Sequence, residues 1–135
     1  KTPQDGLQGK FSVYHGCAVG LIFGRAGEEE FSDHIVRRED VVRLRDKVQA
    51  VVDTSVREES VYVTAHLVDG RSVKVHVEHA IGSLQKPMTD ADLESKFHDL
   101  SDPILGTARV SDILETCWSL GKAPNLQGLL ALLKP

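Results

Sequence analysis

Two runs of strict alternation, separated by a single Asp69-Gly70 turn signal, limit what this chain can fold into more than any other feature. Val61, Val63, Ala65 and Leu67 alternate with Tyr62, Thr64 and His66, while Val73, Val75 and Val77 alternate with Lys74, His76 and Glu78. A period of two sends successive side chains to opposite faces, so each run predicts a strand with one apolar and one wet face. Asp-Gly usually specifies a two-residue type I′ hairpin. That loop would set Val63 beside His76 and Ala65 beside Lys74, mixing apolar and polar side chains on one face. A three-residue loop of Val68, Asp69 and Gly70 instead pairs Val63 with Val75 and Ala65 with Val73. It makes one face uniformly apolar, with Gly70 left-handed in a G1 bulge, and it is the expected register.

A lone hairpin is marginal in water, so other elements must join it. The stretch 48–53 reads as a further strand, linked to the hairpin by the polar residues 54–60. The expected fold class is therefore α+β: a small antiparallel sheet of about three strands, helices packed on its apolar face, and helical flanks at both ends. Residues 1–47 are expected to be mostly helical, 48–79 to form the sheet, and 80–135 to form a loop and helices. At 135 residues and 41% hydrophobic content the chain suffices for one domain with one core.

Before the sheet, residues 1–9 carry Pro3, Gly6 and Gly9 and read as a lead-in loop. KFSVYHGCAVGLIFG, residues 10–24, is apolar nearly all round and predicts a helix buried on most sides. Gly16, Gly20 and Gly24 fall four apart on it, a small-residue ridge where a neighbouring backbone is expected to approach. GEEEFSDHIV reads as a short helical turn, and residues 38–47 as a helix with Val41, Val42 and Leu44 inward. After the hairpin, AIGSLQKPM is a turn-rich crossing. Thr89 is a good N-cap, with Asp90 and Asp92 in the first turn, where carboxylates favour the positive helix end. Leu93, Phe97, Leu100 and Ile104 share a stripe, and Pro103 predicts that this helix stops near Asp102. Val110, Ile113, Leu114, Cys117 and Trp118 mark the next helix, closed by Gly121. NLQGLLALLK is a short, leucine-rich final helix that wants a partner.

Composition removes several classes of function. A net charge of −4 leaves no electrostatic footprint for nucleic acid. No segment approaches the roughly 20 apolar residues that span a bilayer, and no signal peptide is visible. Cys17 and Cys117 lie in apolar helical patterns and read as buried free thiols of a reducing compartment, so the expected location is cytoplasmic. The chain opens on Lys1, and its only methionine is Met88. A processed protein or a fragment of a longer one accounts for both.

Among the six histidines, His66 and His76 belong to the wet sheet face and read as solvated. His76 and His79, three apart in a strand, point to opposite faces and do not jointly bind a metal. His34 and His98 have no catalytic partner at a recognisable spacing. His79 reads as a structural or capping residue, and His15, inside the glycine helix, reads on pattern alone as a packed core histidine. No metal-ligand cluster, nucleophile elbow or phosphate-binding glycine loop is present. The charge runs GRAGEEE and VRREDVVRLRDK read as solvated helix faces.

Three pieces taken together resemble the MmgE/PrpD family, whose members include 2-methylcitrate dehydratase, cis-aconitate decarboxylase and iminodisuccinate epimerase. They are GLQGKFSVYHGCAVGLIFGRAG followed by EEFSD, the LVDGRSV hairpin, and HAIGSLQKPMTDADLESKF. The resemblance covers almost the whole chain but only the last third or so of a family member. It implies a smaller α+β lid domain whose large all-helical companion comes from sequence not present here. It further implies an active site between the two domains, homo-oligomers, no required metal or organic cofactor, and small di- or tricarboxylate substrates. The implied reactions adjust a proton beside a carboxylate, then lose water or carbon dioxide or return the proton with inverted stereochemistry. Members commonly carry a tyrosine near the cleft where His15 stands, which makes His15 the candidate catalytic residue, donating a hydrogen bond or shuttling a proton. Lys10 is the candidate attractor of a substrate carboxylate, and Gly82, Ser83 and Lys86 are candidates bordering the cleft. The alternatives are a free-standing α+β binding or regulatory module, or one subunit of an enzyme built from two chains.

Overall fold

The computed structural model describes residues 1–134, which divide into two compact units. Unit 1 comprises Lys1–Val51 with Asp99–Ile104, and unit 2 comprises Val52–His98 with the chain from Leu105 onward.

Unit 1 is helical. Helix α1 spans Gly6–Lys10, where a lead-in loop was expected. Asp5 starts it, its carboxylate accepting from the Gln8 N–H at 2.8 Å. Its glycines allow close packing: a Cβ at Gly6 would sit on the carbonyl oxygen of Phe31, and one at Gly9 would press on Val36 and the His15 ring. Helix α2 runs Val13–Phe23, capped by Ser12 and ended by Gly24 at φ 71°, a left-handed stop that glycine adopts without strain. A one-turn 3₁₀ segment, Glu29–Phe31, leads into the short helix α3, Asp33–Val36, and then α4, Glu39–Lys47. The core forms where α2 meets α3 and α4: Ala18, Val19, Ile35 and Val41 are buried, with Ile22, Phe23 and Leu44 packed against them. His15, Ala18, Val19 and Ile22 recur at i, i+3, i+4, i+7, so α2 buries one stripe. Val13 and Leu21 stay exposed. The expected glycine ridge meets no neighbour among the described residues, since nothing lies within 4 Å of a Cβ at Gly16, Gly20 or Gly24.

Unit 2 contains the hairpin, β1 (Val61–His66) and β2 (Ser72–Val77). The register is the expected one, with Val63 opposite Val75 and Ala65 opposite Val73. Leu67 and Arg71 close the loop through the Leu67 N–H to Arg71 O bond at 2.8 Å, and Gly70 takes φ 85°. Val61, Val63, Ala65, Val73, Val75 and Val77 therefore share one face. On the other face Tyr62 stacks on His76 at 4.1 Å, and Lys74 lies 4.8 Å from the Tyr62 ring centre.

The sheet departs from expectation in two respects. It has two strands among the described residues, because 48–53 pairs with nothing; Val51 and Val52 are exposed despite their strand-like character. Among the described residues nothing covers the apolar face fully, its valines remaining 37–51% exposed.

Helix α5 spans Asp90–Leu105, and its segment 99–104 groups with unit 1. Thr89 caps it as expected: its hydroxyl accepts from the Asp92 N–H at 3.2 Å, and the Asp92 carboxylate accepts from the Thr89 N–H at 2.9 Å. Pro103 does not stop this helix. It stands in the last turn, two residues before Leu105, so the one bond lost with its N–H and the clash of its ring fall at the helix end. Helix α6, Thr107–Trp118, buries Val110 and Ile113 but leaves Cys117 exposed, correcting the expectation of a buried thiol. Helix α7, Gln127–Leu132, packs on α6, and Arg109 Nε donates to Leu132 O at 2.7 Å. Among the described residues no helix is long and apolar enough to cross a membrane.

Candidate functional site

The elbow between α1 and α2 positions two of the sequence candidates. Phe11 ends α1 and Ser12 begins α2, its hydroxyl accepting from the His15 N–H at 3.2 Å. This holds His15 in the first turn of α2, where helical side chains lean back toward the N-terminus. The ring has no solvent exposure. Its Nε2 lies 2.9 Å from Glu30 O, and a carbonyl only accepts, so Nε2 carries the proton. The neutral ring then presents an Nδ1 lone pair, and Nδ1 is buried with no partner. Phe31 meets the imidazole edge-on, with centroids 5.4 Å apart.

Lys10 reaches the same segment by another route. Its ammonium is 2.7 and 2.9 Å from the two carboxylate oxygens of Glu28. Both partners are well exposed, and such a pair is weak. His15 and Lys10 are thus brought together on residues 28–31.

Glu30 fastens that segment. Its buried carboxylate accepts from Arg25 Nε and from the Gly27 N–H, each at 2.8 Å. Burial alone would push this carboxyl up, but the hydrogen bonds from Arg25 and Gly27 outweigh it and hold the group below its ordinary value of 4.5. A depressed folded-state value stabilises the fold fully above pH 4.5 and loses that contribution as pH falls through the lower value. Thermal melts across that acidic range should therefore show a steeper loss of stability in the native chain than in Glu30→Gln, which has no carboxylate to protonate. Parallel pH profiles for the two proteins would contradict this.

An open pocket of about 270 Å³ adjoins the elbow, lined by Lys1, Pro3, Gln8 and the Phe11–Tyr14 stretch among others. Neither His15 nor Lys10 lines it.

Gly82, Ser83 and Lys86 form one compact turn in unit 2. The Gly82 N–H donates to Lys86 O at 2.8 Å, the Lys86 N–H donates to Ser83 O and to Ser83 Oγ, each at 3.2 Å, and Gly82 takes φ 92°. The Lys86 side chain is exposed. His66 bonds Ser72 Oγ at 2.8 Å and His76 bonds Ser60 Oγ at 2.9 Å, both at the surface. Among the described residues no group of three or more His, Cys, Asp or Glu is placed to hold a metal ion.

The family comparison decides which proteins this arrangement belongs with. The model for the MmgE/PrpD C-terminal domain matches residues 1–120. The chain belongs to the MmgE/PrpD family. Among curated proteins no match was found. In this MmgE/PrpD C-terminal domain, two buried charged residues escaped the sequence reading. Glu30 and Arg45 both lie within charge runs that look solvated, yet each is only 4% exposed. A usable signal existed for Arg45, which stands four residues after the inward Val41 and so on the same helix face.

Proposed function

We propose that this chain is the C-terminal lid portion of a cytoplasmic, homo-oligomeric dehydratase or isomerase acting on small di- or tricarboxylates, and that it is inactive by itself. The observation that carries this reading is the family match over residues 1–120. The rest of the active site comes from a helical domain, supplied earlier in the same polypeptide or by a partner chain. The apolar faces left open on α2 and the hairpin support a companion of that kind. No metal or organic cofactor is invoked.

His15 takes the acid–base role. With Nε2–H spent on Glu30 O, Nδ1 is the basic atom. It accepts the proton beside a substrate carboxylate and, as imidazolium, returns it to the leaving hydroxyl or to carbon. Lys10 exchanges its weak pairing with Glu28 for a substrate carboxylate.

A second reading is favoured by the zero exposure of His15: the ring tethers residues 28–31 to α2 and has no chemical part. The two readings separate under mutation. The reaction class itself is tested by incubating the enzyme that contains this chain in heavy water with a panel of di- and tricarboxylates. Proton NMR should show loss of the signal beside a carboxylate for at least one substrate. No exchange and no turnover across the panel would overturn the proposal.

A further inference from the structure

Arg45 is a buried cation without a counter-charge. It is 4% exposed, projecting from α4 on the face that also buries Val41. Among the described residues its one hydrogen bond runs from Nη1 to Val36 O at 3.0 Å, and it makes no ion pair. Nε is buried and unpartnered. By contrast, Arg25, Arg37, Arg38 and Arg43 in the same unit each meet a carboxylate. The Val36 carbonyl ends a four-residue helix, whose dipole offsets only a small part of a full charge. Leaving a guanidinium in a protein interior with one neutral acceptor is unfavourable unless an anion completes it.

The pattern of used and unused donors indicates which anion. One Nη1 N–H is used; the Nε–H is buried and unpartnered, and Nη2, which makes no hydrogen bond but is not fully buried, lies beside it along one edge of the planar group. That edge matches the two oxygens of a single carboxylate, the bidentate arrangement for which guanidinium is suited and ammonium is not. We infer that Arg45 receives one carboxylate group of a small di- or tricarboxylate along this edge. The choice of a small acid as the source of that carboxylate rests on the function proposed above; the unsatisfied edge does not.

The test is a titration of this chain with succinate and with citrate, read at the Arg45 Nε–H resonance by nitrogen-15 NMR. The expected result is a saturable downfield shift in about the millimolar range. Sodium chloride at equal ionic strength should not reproduce it. In Arg45→Lys, which keeps the charge and loses the fork, binding followed at neighbouring amides should weaken about tenfold or more. Circular dichroism checks that this variant is folded. A resonance that ignores both acids overturns the assignment. So does a shift that tracks protein concentration without added acid, because the carboxylate then belongs to a protein side chain. Turnover by the enzyme with no response at Arg45 refutes this inference alone. A response at Arg45 in an enzyme that turns over no carboxylate refutes only the proposed function.

Discussion

Replacing His15 with alanine in the enzyme that contains this chain should lower turnover by about 100-fold or more, whereas His66→Ala should leave it within about twofold. The contrast follows from where each ring sits. His66 lies on the exposed face of the hairpin and bonds Ser72 Oγ. His15 has its tautomer fixed by Glu30 O and its Nδ1 lone pair unused. Because alanine also removes the tether to residues 28–31, His15→Gln is the sharper variant. Its side-chain amide can still donate to Glu30 O but cannot take up a proton at neutral pH. If catalysis uses the ring, His15→Gln stays folded and loses turnover as alanine does, with the acid–base limb of its pH–rate profile gone. If the ring is only a tether, His15→Gln recovers most of the activity.

The second large effect concerns stability. A methyl group at Gly6 collides with the backbone carbonyl of Phe31, which cannot rotate away as a side chain would. The Gly6 N–H also donates to Asp33 Oδ1 at 2.8 Å, so movement of α1 to relieve the collision would break that bond. Gly6→Ala should therefore cost about 3 kcal/mol. Gly20→Ala should do the opposite. It meets open space within a helix, and the gain in helix propensity should stabilise by up to about 1 kcal/mol. Denaturant melts of both variants check the pair. Equal and opposite outcomes, with Gly20 the sensitive site, would mean that the spaced glycines on α2 were the packed ones after all.

Those two glycines show what a sequence carries and where it fails. Spacing of four on α2 looks like an interface, and Gly6 and Gly9 beside Pro3 look like loop breakers; the structure reverses both. A glycine's pattern records that something special occurs, without saying whether the neighbour is a backbone, a solvent-facing turn or nothing. The hairpin was legible because its signal is redundant: two periods of two must agree with one loop length, and only the three-residue loop satisfies them. The stretch 48–53 lacked that redundancy. Its β-branched residues suit a strand, but strand character is a property of pairing, and no partner is present for it among the described residues. In the candidate site, His15 and Lys10 were found by resemblance, and their meeting on residues 28–31 was not visible because Glu28 and Glu30 are far from both in sequence. Glu30 and Arg45 were missed because a charge run gives no hint of which member turns inward until the helix register is fixed by its apolar residues.

As a lid, this chain completes an active site only with a helical body from outside residues 1–135. The most direct measurement compares turnover of the di- and tricarboxylate panel by this chain alone and by the same chain joined to, or mixed with, the helical portion of its enzyme. The expected result is no turnover above background for the chain alone and turnover when the helical portion is supplied. Turnover by the isolated chain, at a rate that adding the helical portion does not change, would contradict it.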